Sequence, residues 1–193
     1  MPNFDDSVTV RELVLLVVDA AGGTVNGRTA MQKLCYFGSA VIEQDSGHRA
    51  HYYGPYSRPV EDAVSNSAFA GDITETVTPF ASGPGRQYHY ELTPQGRETV
   101  TELRAAHAGA AYRIDETVKR LGELVPGYRQ KPLSLAAKVD LIVRQHDTPV
   151  DTSDVPTLAR DLGWQVDEGD VKTAVSILLG LGRIAEVQTN PRS

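Results

Sequence analysis

HYYGPYS, residues 51–57, sets three tyrosines around a Gly-Pro turn, between two runs with helical spacing. It reads either as a binding loop or as the joint of a small fold, and the choice decides the architecture. HRAHYYG (residues 48–54) is aromatic and roughly alternating, which predicts a short strand. Gly54-Pro55 is a turn signal. Ser57 then stands as a helix N-cap, with Pro59 in the first turn and Glu61 where a capping partner belongs. On this reading the turn re-aims the chain from an edge strand into a helix, RPVEDAVSNSAFA (58–70), which Gly71 stops.

Working outward, SVTVRELVLLVVDAA (7–21) has a helical apolar stripe at Leu13, Leu16, Val17 and Ala20, with Ser7 or Thr9 as cap and Gly22-Gly23 as stop. TVNGRT (24–29) is a tight connection, and TAMQKLCYFGSAVIEQD (29–45) a second helix. Beyond Gly71, DITETVTPF and QYHYEL (87–92) alternate around a turn at ASGPGR (81–86), which predicts a β-hairpin. Thr93 and Pro94 open a long helix to about Arg120. The order helix, helix, short strand, helix, hairpin is that of a winged helix, with the hairpin as wing.

GELVPGYRQKP (122–132) reads as a linker. Helices are expected at 133–146, 152–163 and 167–182, followed by a strand-like RIAEV (183–187). The expected fold is mainly α with small β. A winged helix-turn-helix domain covers 1–105, a long helix end and linker cover 106–132, and a smaller winged-helix-like helical domain covers 133–193. Trp164 would anchor the second core, and its indole N–H needs a partner if buried. Ala105, Ala106, Ala108, Ala110 and Ala111 offer a small-residue face for pairing with a second copy, so a homodimer is expected.

At 193 residues, 40% apolar and 23% charged, the chain is of ordinary globular composition. LVLLVV (13–18) is too short to span a bilayer, and the acidic N-terminus does not resemble a secretory signal. With Cys35 as the single cysteine, a cytoplasmic location is expected. The net charge is −6; residues 1–105 carry 8 basic and 13 acidic side chains, residues 106–193 carry 11 and 12. Neither half is a basic domain, which argues against a protein that coats nucleic acid but leaves room for a local basic patch.

The third helix of a DNA-binding winged helix lies in the major groove, where Arg, Lys, Asn and Gln read bases. Here it offers Arg58, Ser65 and Asn66, but also Glu61 and Asp62. Arg28, Lys33 and Arg49 would gather near the second helix and the turn, and Arg86 would sit at the wing. These seven residues are the candidate DNA contacts. Tyr52, Tyr53 and Tyr56 either pack on the core, Tyr53 above all, or present a flat surface; Tyr52 and Tyr56 are the candidate partner contacts.

His48, His51 and His89 could gather for zinc, but no carboxylate or cysteine stands at ligand spacing, so no metal is expected. Cys35 falls in an apolar stripe and reads as core. The chain has no Walker loop, no G-x-G-x-x-G and no H-E-x-x-H. No cofactor and no enzymatic activity are expected.

GRTAMQKLCYF (27–37), HYYGPYS (51–57) and YHYELTPQG (88–96) resemble three landmarks of the YwgA-like family of small prokaryotic proteins. In that family a G-R-x-x-x-Q-K helix precedes a Y-G-P-Y-S turn and a closing Y-x-L-T-x-x-G. The chain is more distantly similar to the SocA-like (Panacea) antitoxin domain, which shares a K-L-x-Y helix and a Y-G-P turn. The likeness covers roughly residues 8–105. It implies a winged helix and a regulatory or antitoxin-like role. The Gly/Pro-rich wing and the acidic third helix depart from the family pattern. The expected function is a DNA-binding regulator acting on double-stranded DNA. The alternative is a protein-interaction adaptor on the same scaffold.

Overall fold

Thr9 and Glu12 start the first helix with a reciprocal cap: the Thr9 hydroxyl accepts from the Glu12 amide, and the Glu12 carboxylate accepts from the Thr9 amide. The computed structural model describes residues 7–79 and 85–185. Helix α1 (Val10–Ala20) buries every residue from Leu13 to Val18, so it is apolar all round rather than striped. A helix of that kind belongs at the centre of a core. Accordingly α1 packs on helices α2 (Arg28–Val41), α3 (Arg58–Phe69), α4 (Pro94–Ala106) and α5 (Ala108–Leu124).

The described chain is mainly helical with one small antiparallel sheet. Strands β1 (Thr24–Asn26), β2 (Ile73–Pro79) and β3 (Arg86–Leu92) lie in the order β1-β3-β2. Val25 faces Tyr90 on one side of β3, and Ile73 faces Leu92 on the other. The 24–29 stretch, expected as a bare connection, therefore supplies the third strand. Only Ile73 of β2 is buried; the other six residues of the strand are exposed, so the hairpin projects from the body. The expected turn at 81–86 lies outside the described residues except for its last two.

The long helix expected from 94 to 120 is broken at His107, whose backbone leaves helical geometry (φ −124°, ψ 47°). Arg104 holds the break. Its guanidinium donates to Asp19 on α1 and to both carboxylate oxygens of Asp115 on α5 at 2.8 Å. The bend turns Ala110 and Ala111 into the core and leaves Ala105, Ala106 and Ala108 exposed. The alanine run is thus no continuous seam for a second copy.

A single 3-10 turn at Pro126–Tyr128 joins α5 to α6 (Gln130–Arg144), where the linker was expected. Helices α7 (Val155–Asp161) and α8 (Glu168–Gly180) follow, and α6 packs on both α8 and α2. Buried apolar side chains from Val8 to Leu178 form one continuous cluster. Residues 183–185 are not in a strand, and the rest of the expected 183–187 strand lies outside the described residues. Among the described residues no helix is long and apolar enough to cross a membrane.

Candidate functional site

Between α2 and α3 the chain makes a sixteen-residue excursion, 42–57, which contains HYYGPYS. It is bound mainly to α2, not to the sheet. The Gln32 side-chain amide donates to the Ser57 carbonyl (3.0 Å) and accepts from the Ser57 amide (2.8 Å), so it acts as one rung of a ladder. The Lys33 ammonium donates to the Pro55 carbonyl at 2.7 Å. Ser57 caps α3 through the Val60 amide and donates its hydroxyl to the Ser46 carbonyl. These bonds correct the strand expected at 48–54. The only pairing there is one bridge between Arg49 and Tyr56, because side chains of α2 satisfy the backbone and β1 holds the sheet edge.

Gly54 makes the close approach possible. Its φ is +98°, and a Cβ there would stand 3.3 Å from Lys33 Cε and 3.2 Å from Lys138 Cγ. On the far side, Trp164 donates its indole N–H to the His51 carbonyl at 2.6 Å, which meets the need for a partner in a residue only 2% exposed. The joint is therefore clamped between α2 and the segment after α7.

Burial disfavours the charged form of two groups in the clamp. His48 sits with Nε2 3.1 Å from the Gln32 carbonyl and Nδ1 2.8 Å from the Ser46 hydroxyl. A carbonyl only accepts, so Nε2 carries the proton and Nδ1 accepts. Burial, with Lys33 and Arg49 nearby, pushes its pKa down to about 4. Burial and the neighbouring Lys138 push Lys33 down to about 7.

Both shifts have the same sign in stability. The unfolded chain protonates first, so it binds more protons than the folded chain between about pH 4 and 6.5 for His48. Stability falls as pH drops through that window. Urea unfolding at pH 7 and pH 4.5 is expected to differ by roughly 2–3 kcal/mol from this residue. His48→Gln should flatten the difference; an unchanged slope in the variant counts against the assignment. For Lys33 the corresponding gain in stability comes as pH rises from about 7 to 10.5.

The candidate contacts divide into several environments. Lys33 is 2% exposed and engaged with Pro55, so it is removed from the set that could touch a phosphate. Arg49 is exposed, donates to the His48 carbonyl and lies 3.7 Å from Asp45. Arg58 is exposed but lies 3.4 Å from Glu61 and 3.0 Å from Asp62. Ser65 and Asn66 are exposed on the same helix, with the Ser65 hydroxyl turned back to the Glu61 carbonyl. Arg28 lies 3.9 Å over the Tyr88 ring. Arg86 is exposed on β3.

Arg28, Tyr56, Glu61, Glu75 and Tyr90 come together in a small cleft of about 40 Å³ between α2, α3 and the hairpin. Tyr56 donates to the Glu61 carboxylate at 2.5 Å and stacks on His51 at 5.0 Å, so its ring serves the joint. Tyr53, expected in the core, is 56% exposed, and Tyr52 is 73% exposed. They pair edge to face, 4.7 Å apart, and Tyr53 also borders a cavity beside residues 130–138.

Phe69 is 95% exposed and was absent from the candidates. The signal was present: Val60, Ala63, Val64 and Ser67 form the buried stripe of α3, and Phe69 falls out of phase with it. His89 bonds Asn26 at 2.7 Å, and among the described residues no group of three or more His, Cys, Asp or Glu is placed to hold a metal ion. Cys35 is fully buried.

No family model matches the chain, and no curated protein matches it at a significant level.

Proposed function

We propose that residues 7–105 form a winged helix used as a protein-docking scaffold, and that the chain is a non-enzymatic regulator or antitoxin-like adaptor. The outer face of α3 carries this reading. Arg58 is the only basic residue of that helix, two carboxylates already hold it, and the helix ends in the bare ring of Phe69. A groove-reading helix needs free donors facing phosphates and bases. A protein-docking helix needs an exposed aromatic with few unpaired charges around it. The exposed Tyr52–Tyr53 pair on the adjoining joint adds to the same kind of surface.

A second reading keeps DNA as the ligand. The order α1-β1-α2-α3-β2-β3, with β3 central and the hairpin projecting, supports it, and Arg28 and Arg86 are its cations. A titration against duplex DNA fragments at two salt concentrations separates the two. The expected result is no saturable binding at about 50 mM salt, where a protein with several phosphate contacts binds most tightly. Binding that falls steeply with salt and disappears in the Arg28→Glu, Arg86→Glu double variant overturns the docking reading and installs DNA.

A further inference from the structure

Beside the joint lies a cavity of about 440 Å³ whose wall mixes hydrogen-bond donors with the apolar Leu135 and one acid. Lys131, Lys138, Ser134 and Gln130 come from α6, Gln165 from the segment after Trp164, and Tyr53 from the loop. The one acid, Asp170, stands in the same wall. It lies 3.1 Å from Lys131 and takes part in the cap of α8 with Asp167. Lys138 enters no ion pair among the described residues; its ammonium lies 5.4 Å over the Trp164 ring.

Two further observations favour an anion at this wall. The Ser134 side chain is only 8% exposed, on the cavity wall, and its hydroxyl has no hydrogen-bond partner among the described residues. A buried polar group in that state is uncommon and calls for a ligand or water. Helix α6 begins at this wall with no side-chain cap on its first amides. Uncapped amides at the start of a fifteen-residue helix favour negative charge. Burial lowers the pKa of Lys138, against the raising effect of Asp170, and lowers that of its neighbour Lys33, so an anion bound beside them would favour their charged forms.

We propose that this cavity binds a phosphate group, free or carried on a mononucleotide, with Lys138 as the principal cation, the Gln130 and Lys131 amides at the start of α6 as donors and the Tyr53 ring as a platform for a base. The site stands apart from α3 and shares only Tyr53 with the surface proposed for docking. A ligand held there would touch both α6 and the loop carrying the exposed tyrosines.

Trp164 is the chain's single tryptophan, so its fluorescence reports directly on Lys138. The full-length protein is titrated with inorganic phosphate, AMP and adenosine. A saturable change with phosphate or AMP, and none with adenosine alone, is expected. Lys138→Gln should weaken it by about tenfold or more, the usual scale for loss of a charge-assisted hydrogen bond. Lys138→Arg, which keeps the charge, should retain binding, and circular dichroism of both variants checks that they fold.

Tighter binding of AMP than of phosphate, lost in Tyr53→Ala, assigns the nucleotide. Equal binding of the two assigns the phosphate itself, and both results support the site. No saturable change in the wild-type protein, or an equal change in Lys138→Gln, overturns it.

Discussion

Gly96→Ala is expected to unfold the protein or to lower its stability by about 3 kcal/mol or more, the upper range for forcing atoms into a packed region. A Cβ on Gly96 would lie 1.9 Å from the Asp72 carbonyl oxygen and 2.8 Å from its carbon. These are backbone atoms, so no side chain can swing away. Asp72 cannot retreat either. Its carbonyl accepts from the Thr93 amide at 3.0 Å, and its carboxylate is held by Arg11 and by Thr99. Thr93 in turn caps α4 through the Gly96 amide at 2.9 Å. The start of α4 and the start of β2 are thus one contact, and it closes only around a hydrogen.

The matched control is Gly109→Ala. Gly109 lies in α5, where a new Cβ would meet only Arg113 Nη1 at 3.8 Å. Alanine is the better helix former, by about 1 kcal/mol in a helix interior and less in this first turn, so this change should stabilise slightly. Urea midpoints of the two variants should move in opposite directions. A Gly96→Ala protein as stable as the wild type would refute the packing described.

Asp140→Ala is expected to cost about 3–5 kcal/mol, the scale for leaving a buried charge without its partner. Asp140 is 2% exposed and gathers three donor residues, two of them from distant parts of the chain and one from the next turn of its own helix. Tyr36 on α2 donates its hydroxyl at 2.8 Å, Arg183 beyond α8 donates at 2.8 and 3.0 Å, and Arg144 at 3.1 Å. The Arg183 side chain is itself only 9% exposed, so without Asp140 its charge is stranded. Tyr36→Phe removes one bond to the carboxylate and should cost about 2 kcal/mol. The two variants compared by chemical denaturation separate the charge from the single bond. A loss of less than about 1 kcal/mol in Asp140→Ala would show that Arg183 finds water instead.

Elements with regular periodicity are legible in the sequence. The two helices flanking the joint, the Ser57 cap, the hairpin and the three C-terminal helices all follow from spacing and caps. The failures have a common cause, which is that the deciding interaction is distant in sequence. Thr24–Asn26 is too short to show alternation, and it becomes a strand because β3 offers it an edge. The 48–54 stretch has strand composition but is drawn to α2 by Gln32 and Lys33.

The same holds at the candidate site. Lys33 looks like a free cation in sequence, and only the Pro55 carbonyl and its burial remove it. Arg104 gives no local warning that it bends a helix, since its partner Asp19 lies 85 residues away. Phe69 is the exception. Its exposure was legible from the phase of α3.

The bond between Trp164 and His51 joins residues 113 positions apart. At typical elongation rates of 5–20 residues per second, the loop leaves the ribosome roughly 6–23 s before the indole that clamps it. Throughout that interval Gln32 and Lys33 can already hold the inner side of the turn, while the His51 carbonyl and the tyrosines beside it face whatever the nascent chain meets. The order of synthesis therefore gives any chaperone or binding partner first access to this loop, ahead of the protein's own C-terminal helices.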